Sequence, residues 1–475
     1  MTMNYVLRNL AFVFLGILLL SSMSFAILRI VNYSTGGDNV SAMRLCNNSI
    51  ALPAGGSAAA PWGGLGTPYQ NLTAAINAAS AGAYILICGN GTGGITAEAP
   101  WTINVSVNIF GYNWTSGIGT VGVGPNTTTV LKPFNSTTPI FTITANGVHI
   151  SNLTFSTVTG AGPGVAAIAF INGSAWGLWV NYSNFTLNVA DVLFSAGGND
   201  SNLSGNNHFG GVGSGVVITA AIRNVSIWNS SLTGYGTGNY ALTNPAAVSG
   251  IYVASASNVS VAGVFVSQYA YGLYSAFANN LTVNNQNQSP LNFNRFFNNT
   301  YGIYLNGTVG VAPTVSDTWI YNSSNNSTGF GMYVLNSNGS TFTNLTMWDN
   351  YDTALYLANS STNTIANSNF SSKQSHGSFG AYLDSNSHSN TITGGRMNES
   401  YARAAIAIYG NSNSVTLGLL NGTNSNGQGI IIGSGSANAV RNTSVTDMPI
   451  GVNVTTASST TVGGVNASYT TNAFF

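Results

Sequence analysis

A short phrase, Gly-apolar-Tyr-apolar, recurs through the second half of this 475-residue chain at intervals of 22 to 30 residues. Each copy is too short for a helix, and its side chains alternate in character along the chain, which indicates a β-strand. Asn, Gly and Ser, which tolerate left-handed turns, separate the copies. The copies, some with a substitution, begin at Gly250, Gly272, Gly302, Gly331, Ala354, Gly380, Ala405, Gly429 and Gly451.

A second strand signal lies within the intervals, for example NVSVAGVFV from Asn258. Short strands at this period, with no helix between them, fit neither a sandwich, whose turns have no fixed period, nor a propeller, whose blades are longer. They predict an all-β parallel β-helix, in which each repeat is one coil and equivalent strands stack in parallel. Residues such as Ile303 and Leu305 would then point inward and form a continuous apolar column.

A short amphipathic helix is predicted ahead of the coils. Asn71 is placed to serve as its N-cap and Gly82 as the residue that follows its end. Such a helix would cover the open end of the β-helix, where an exposed parallel edge would otherwise invite aggregation. The residues that share one face of this helix are Leu72, Ala75, Ile76 and Ala79.

The N-terminus has the pattern of an export signal. Arg8 precedes the apolar run Leu10 to Leu20, and small residues before and at Ala26 suit a cleavage site. The run is short for a membrane span, but the apolar residues that follow would let residues 1–26 stay attached as an N-terminal membrane anchor. We therefore expect an exported protein, either secreted or held at the cell surface.

The rest of the chain divides into an N-terminal arm, residues 27–65, and the β-helix, residues 66–475. Cys46 and Cys88 are the only two cysteines. A pair of cysteines in an exported protein predicts a disulfide bond, with two unrelated buried thiols as the alternative.

Charged residues make up only 4% of the chain, and ten basic residues balance ten acidic ones. Binding to nucleic acid requires clustered basic side chains that neutralise phosphates, and the few Lys and Arg are scattered. We therefore expect no nucleic-acid partner. Two isolated cysteines and four scattered histidines also predict no metal site and no cofactor.

The segment GTPYQNLTAAINAASAGAYILICGNGT, Gly66 to Thr92, and the later GIYL and NTI coils resemble the pectin-lyase-like superfamily of right-handed parallel β-helix proteins, including its NosD-type branch. This resemblance covers about Gly66 to the C-terminus. It implies the fold, whereas lyases, hydrolases, epimerases, adhesins and surface proteins all use this scaffold.

The acidic residues make a poor active site. Polysaccharide-active members of that superfamily need clustered carboxylates for acid/base catalysis or for binding Ca²⁺. The ten acidic residues here seldom recur at one position of neighbouring coils. The best group is Asp349, Asp352 and Asp384, with Arg403 beyond it; these acids are weak catalytic candidates, and capping of turns is the alternative.

The middle residue of each repeat strand should point outward, because its two neighbours point inward. Stacking the coils would then form a tyrosine column. Such a column is either a ligand-binding face, since aromatic rings stack on sugars and anchor partners, or a structural ladder of like side chains. Its members are Tyr252, Tyr274, Tyr304, Tyr333, Tyr356 and Tyr382.

Asn-x-Ser/Thr sequences are frequent, either because N-glycosylation keeps a nearly uncharged surface soluble or because turn Asn followed by Thr or Ser suits the coils. The acceptors singled out are Asn32, Asn39, Asn47, Asn298, Asn306 and Asn344. The sequence thus predicts an exported cell-surface glycoprotein with a structural, adhesive or carbohydrate-binding role, whose partner is a surface polysaccharide or another surface protein. The alternative is a carbohydrate-active enzyme, a polysaccharide lyase or glycoside hydrolase.

Overall fold

The structure is a computed structural model. It describes residues 28–32, 72–88, 95–96, 100–111, 130–132, 135, 137–156, 166–186, 190–209, 213–219, 222–234, 244–285, 293–324, 328–372, 379–399, 403–422 and 427–467. The expected signal or anchor, residues 1–26, therefore lies outside the described residues. Among the helices that are described, none combines the length and the apolar character that crossing a membrane would require.

The predicted all-β parallel β-helix is confirmed. Each coil contributes strands to three faces, and the strands of successive coils pair in parallel on every face. We call these faces sheet 1, sheet 2 and sheet 3, in the order in which each coil of the second half reaches them.

Sheet 1 carries the repeated tyrosine phrase. Its strands are Trp101–Ile103, Phe141–Ile143, Ala166–Phe170, Ala190–Phe194, Val216–Ile218, Ser249–Ala254, the start of Tyr271–Asn284, Tyr301–Thr308, Phe330–Leu335, Thr353–Ala358, Phe379–Leu383, Ala404–Ile408, Gln428–Ile432 and Ile450–Val454.

Sheet 2 follows in each coil. Its strands are Leu28–Asn32, Ala83–Cys88, Val107–Gly111, Val148–Ser151, Leu178–Asn181, Ser201–Ser204, Arg223–Trp228, Ser257–Ala262, the end of Tyr271–Asn284, the starts of Thr314–Tyr321 and Thr341–Asn350, Thr364–Ala366, Thr391–Thr393, Ser414–Thr416, Ala439–Arg441 and Thr461–Gly463.

Sheet 3 completes the coil. Its strands are Ile95–Thr96, Val130–Lys132, Thr154–Ser156, Asn184–Thr186, Asn207–Phe209, Ser231–Thr233, Phe265–Ser267, Asn294–Phe297, the ends of Thr314–Tyr321 and Thr341–Asn350, Asn369–Ser372, Arg396–Glu399, Leu419–Gly422, Ser444–Thr446 and Asn466–Ala467.

The core is the apolar column that the repeat predicts. Ile303 and Leu305 are fully buried, and they pair with Met332 and Val334 of the next coil, which are fully buried as well. Because each coil contacts only its neighbours, this core extends along the molecule instead of filling a sphere. It leaves the outward side chains of all three faces available for surface functions.

Glycine opens the repeated phrase because no room is left for a side chain. A Cβ placed on Gly272 would lie 2.5 Å from the carbonyl oxygen of Gly302 and 2.9 Å from the side chain of Phe296. The glycine therefore faces the interior beside the inward Leu273. In several coils the residue before the glycine is aromatic and packs, buried or half-buried, three residues ahead of the outward tyrosine.

The predicted N-terminal helix is present but shorter than expected. The α-helix α1 (Leu72–Asn77) buries Leu72, Ala75 and Ile76, and the only other helical element described is a 3-10 turn at Pro245–Ala247. The prediction that Gly82 follows the end of the helix was wrong. Gly82 lies in the turn before Ala83–Cys88, with φ +81°.

The reason for the early end is local. The backbone N–H of Ala79 donates to the carbonyl of Ile76, three residues earlier, which tightens the last turn and closes the helix. Ala79 still packs, partly buried, against the core. Asn71 lies outside the described residues, and the role of the helix as a cap stays a prediction. Strand Leu28–Asn32, from the predicted arm, pairs with Ala83–Cys88.

Candidate functional site

The six tyrosines of the repeat form one continuous column on the outer face of sheet 1. In-register pairing joins Tyr252 to Tyr274, Tyr274 to Tyr304 and Tyr304 to Tyr333. The register then continues to Tyr356 and Tyr382. All six side chains are half-buried, and both neighbours of each ring in its own strand are buried. The predicted geometry of the tyrosine column is thus confirmed.

The rings of the column cover one another's faces. Successive centroids lie between 4.8 and 5.5 Å apart, and the planes of neighbouring rings differ by 7° to 18°. Each such aromatic pair contributes about 0.5–1.5 kcal/mol beyond its buried area. Because the faces inside the column are occupied, a ligand would meet ring edges and hydroxyl groups.

A second aromatic column, which the sequence reasoning missed, lies beside the first. Its rings meet the tyrosine column edge-on: Tyr301 contacts Tyr333 at 89°, and Phe330 contacts Tyr356 at 87°. The signal was an aromatic residue three positions before a column tyrosine. The members of this second column are Tyr271, Tyr301, Phe330 and Phe379, with the buried Thr353 between the last two.

Packing raises the pKa of several tyrosines of sheet 1. Burial, with a smaller effect from neighbouring tyrosines, raises the pKa of Tyr271 to about 12. Burial, with smaller effects from neighbouring tyrosines and carboxylates, raises the pKa of Tyr356 to about 12, and burial also raises the pKa of Tyr304. Phenols with an ordinary pKa of about 10 are already neutral at physiological pH, so the column is a row of hydroxyl groups able to donate and accept hydrogen bonds.

Two of the three candidate acids lie next to this column. Asp352 and Asp384 both act electrostatically on Tyr356, and Asp384 acts on Tyr333 and Tyr382 as well. Asp349, in contrast, is exposed in a left-handed corner (φ +54°) at the end of a strand of sheet 3. Asp352 precedes strand Thr353–Ala358, whereas Asp384 follows strand Phe379–Leu383. The two acids therefore flank the tyrosine column at opposite ends of its strands, and Asp349 lies outside it.

Asp384 is held by hydrogen bonds that cap a turn. Its carboxylate accepts from the backbone N–H groups of Asn359 and Asn386 and, at 2.7 Å, from the hydroxyl of Ser387. Asp352 is less satisfied: the hydroxyl of Thr353 donates to it at 3.4 Å. Burial raises the pKa of Asp352, and that hydrogen bond partly opposes the shift. The catalytic role of these acids stays a prediction.

The acceptor sequences follow the shape of the coil. Asn344 occupies an exposed left-handed corner (φ +52°), Leu345 is fully buried and Thr346 points outward. Residues 258–260 repeat this arrangement. Corner geometry by itself therefore favours Asn-apolar-Ser/Thr, and glycosylation stays a prediction.

The other acceptors differ in environment. The amide of Asn306 donates to the hydroxyl of Tyr274 at 3.3 Å, and Asn298 accepts from Asn322 at 2.5 Å. Asn39 and Asn47 lie outside the described residues. Asn32 ends a described strand, but its side chain is not described. The disulfide also stays a prediction, because Cys46 and the side chain of Cys88 are not described.

Sheet 3 carries another aromatic cluster that the repeat pattern did not reveal. The guanidinium of Arg295 lies 5.0 Å from the ring of Phe265 and 4.9 Å from that of Trp319. Such cation–π contacts hold the guanidinium in a fixed plane. Stacked rings continue beside it: Phe297, Tyr321 and Trp348. In the part of the chain that the structure describes, no three His, Cys, Asp or Glu side chains come together as metal ligands.

Residues 249–420 match the family described as the right handed beta helix region. The chain is a right-handed parallel β-helix. The resemblance to pectin-lyase-like proteins is thereby confirmed at the level of the fold. Among curated proteins, none matches this sequence.

Several solved structures are similar in coil architecture. The A-module of mannuronan C-5 epimerase AlgE6 from Azotobacter vinelandii is 12% identical over 84% of this chain and 93% of its own, with a TM-score of 0.29. A PL6 alginate lyase in complex with a trisaccharide is 10% identical over 93% and 85%, with a TM-score of 0.35. The tailspike gp49 of Acinetobacter baumannii bacteriophage Fri1, a capsular polysaccharide depolymerase, is 11% identical over 81% and 57%, with a TM-score of 0.28. Similarity at this level carries no argument about what this chain binds.

Proposed function

We propose that the protein is an exported, cell-surface β-helix that binds polysaccharide through the tyrosine column. The observation that supports this function is the row of outward tyrosines on consecutive coils, spaced by 4.8 to 5.5 Å. This spacing is close to the length of one sugar in an extended polysaccharide. One hydroxyl of the column would therefore meet each successive sugar.

The chemistry of the column suits sugar hydroxyl groups. Neutral phenols both donate and accept hydrogen bonds, and the stacked rings lose little conformational freedom when a ligand binds. Asp352 and Asp384 flank the same column at opposite ends of its strands, and they would accept hydrogen bonds from sugar hydroxyls there. The surrounding surface carries few charges, so the ligand is held by hydrogen bonds and ring edges.

A structural or adhesive role at the cell surface follows from such a rigid face. The N-terminal apolar segment would export the chain, and it would anchor the chain if it is not cleaved. N-glycans at exposed acceptors such as Asn344 would keep the weakly charged surface soluble. The β-helix would then bind the polysaccharide outside the membrane to which its N-terminus is anchored.

Affinity electrophoresis in gels that contain a polysaccharide tests the proposal. The double variant Tyr304→Phe/Tyr333→Phe keeps both stacked rings and removes two hydroxyls from the centre of the column. We expect the wild-type chain to be retarded by at least one surface polysaccharide and the double variant to bind about tenfold more weakly, as the loss of two hydrogen bonds predicts.

Tyr84→Phe is the matched control, because Tyr84 lies on sheet 2 and is 41% exposed. It should migrate like the wild type. Equal retardation of the double variant and the wild type would exclude the column as the binding face.

A second function, polysaccharide cleavage by a lyase or glycoside hydrolase, is favoured by one observation. Asp352 lies beside the tyrosine column and has a raised pKa, as a general acid at the binding face would need. Release of new reducing ends or unsaturated sugars from a bound polysaccharide, abolished by Asp352→Asn, would support this function. Binding without any product would rule it out for that polysaccharide.

A further inference from the structure

The outer face of sheet 2 carries two tryptophans on either side of an asparagine in the first half of the β-helix. Trp179 pairs with Asn202 of the next coil, and Asn202 pairs with Ser226 of the coil after that. Trp228 ends the same strand as Ser226. We call Trp179, Asn202, Ser226 and Trp228 the tryptophan notch.

The indole of Trp228 is fixed and open. Its Nε1–H donates to Oδ1 of Asn202 at 2.7 Å, which sets the orientation of the ring. The side chain is nevertheless 40% exposed. Its partner in the next coil is Ala262, whose methyl group is too small to cover an indole. In contrast to the rings inside the tyrosine column, Trp228 therefore keeps ring surface available to a ligand.

Trp179 forms the other wall of the notch. His149 stacks on it, with centroids 4.1 Å apart, from the preceding coil. On the following coil its partner is Asn202, which is small and polar, so among the described residues no ring of the next strand stacks on that side. Because Oδ1 of Asn202 accepts the bond from Trp228, the two N–H groups of the same amide point away from that indole.

The notch is uncharged. Burial lowers the pKa of His149, which keeps its imidazole neutral at physiological pH. The neighbouring side chains of these strands, Asn181 and the buried Ser204, are polar and uncharged. The nearest charged side chains along these strands, Asp200 and Arg223, lie at the strand starts, and the carboxylate of Asp200 already accepts from Asn224.

We propose that the tryptophan notch is a second binding site, for a neutral saccharide. The C–H face of one pyranose would stack on the indole of Trp228, as apolar sugar faces do on exposed rings. The amide of Asn202 and the hydroxyl of Ser226 would bond the sugar's hydroxyls. The notch itself has no charged side chain, and the nearest ones, Asp200 and Arg223, have opposite signs. The site therefore gives no net attraction to carboxylated or sulfated sugars and selects neutral ones. The notch lies on sheet 2, whereas the tyrosine column lies on sheet 1. The proposal for the notch is therefore independent of polysaccharide binding by the column.

Quenching of tryptophan fluorescence, read in the full chain, tests the site. The probes are cellohexaose, mannohexaose and laminarihexaose, with hexagalacturonate as the acidic comparison. We expect at least one neutral hexasaccharide to bind and hexagalacturonate to bind more weakly. Trp228→Ala should lower the affinity about tenfold, and Asn202→Ala should lower it severalfold. For the Trp228 variants, whose own fluorescence changes, the affinities are measured by calorimetry.

Phe277→Ala is the matched control, since Phe277 is another exposed aromatic side chain, 52% exposed, at a corner away from the notch. It should bind like the wild type. Where Trp228→Ala proves poorly folded, Trp228→Phe, which keeps a ring and loses the bond to Asn202, should bind with intermediate affinity.

Several results would overturn the site: no neutral hexasaccharide binds, the Trp228 and Asn202 variants bind like the wild type, or hexagalacturonate binds more tightly. Because residues 202–204 form an acceptor sequence, a glycan found on Asn202 by peptide mass spectrometry would overturn it too. The variant Tyr304→Phe/Tyr333→Phe separates the two proposals, since it should leave hexasaccharide binding at the notch unchanged even if the column binds nothing.

Discussion

The ring of Tyr304 stacks on the ring of Tyr333 of the next coil, with centroids 5.0 Å apart and planes that differ by 8°. Each ring therefore covers one face of the other, and the ring edges and hydroxyl groups are the parts that reach solvent. A tyrosine in this position stabilises the stack of coils and presents a hydroxyl at a fixed place. The structural ladder and the binding face, which the sequence presents as alternatives, can thus be the same residues.

We expect the packed tyrosines Tyr271 and Tyr356 to titrate late and the fold to lose stability in alkali. The unfolded chain releases its phenolic protons near pH 10, whereas burial raises the pKa of Tyr271 and Tyr356 to about 12. The folded form then holds more protons than the unfolded form, so the free energy of unfolding falls as pH rises above 10. Ultraviolet titration of the phenolates, with melting temperatures at each pH, measures both effects. A native chain whose tyrosines all ionise near pH 10 would contradict the packing of the column.

Substituting the glycine that opens a coil should destabilise the fold. Gly272→Ala forces a methyl group to within 2.5 Å of the carbonyl oxygen of Gly302, and we expect a loss of about 1–3 kcal/mol in unfolding free energy. Gly173→Ala is the control, because nothing lies within 4 Å of a Cβ at Gly173. Denaturant unfolding of both variants tests the prediction. Equal stability of the two would be incompatible with the close approach at Gly272.

A buried asparagine ladder should contribute strongly to stability. The side chain of Asn390 accepts from the backbone N–H of Asn363 at 2.9 Å and donates to the carbonyl of Ser360 at 2.9 Å. Asn390→Ala leaves both groups buried without these bonds, which we expect to cost about 1–3 kcal/mol or more. The exposed Asn386, mutated to Ala, should change little. Hydrogen exchange at the amide of Asn363 reports the effect locally, and unchanged protection there would refute it.

Asp352→Asn should make the protein more stable at neutral pH. Burial raises the pKa of the Asp352 carboxyl above its ordinary 3.8, so the folded state favours the protonated form. The stability that proton binding provides is present below pH 3.8 and is lost as pH rises through the raised pKa. The side chain of asparagine does not ionise, so the variant does not lose this stability as pH rises. Melting temperatures of variant and wild type should therefore differ at pH 7 and converge in acid; a variant less stable at pH 7 would show that the carboxylate makes a contact worth more than its burial.

The spacing of the repeat was sufficient to predict the fold and the tyrosine column. Strand period, inward Ile303 and Leu305, and outward Tyr304 all follow from alternation along a strand, which is a local property of the chain. The second aromatic column was within reach as well, because Tyr271 and Tyr301 precede column tyrosines by three residues. In each coil a glycine follows the first aromatic residue, and both this glycine and the next residue face inward. Strict alternation along the strand therefore does not show that the two aromatic residues lie on the same side.

The tryptophan notch could not be predicted in the same way. Trp179, Asn202 and Trp228 belong to three coils, and their contact depends on register and on corner lengths that differ from coil to coil. Burial of Asp352 likewise depends on the packing of neighbouring coils. The length of α1 was misjudged because its last turn tightens at Ala79. These features come from contacts between segments that the sequence does not place side by side.

Hydroxyl-radical footprinting of the full chain, with and without a polysaccharide that retards it in gels, tests binding by the tyrosine column most directly. Oxidation is read by peptide mass spectrometry at Tyr304, Tyr333 and the control Tyr84. We predict that the polysaccharide protects Tyr304 and Tyr333 and leaves Tyr84, on sheet 2, unprotected. Equal oxidation of Tyr304 and Tyr333 in the free and the bound chain would contradict polysaccharide binding by the column.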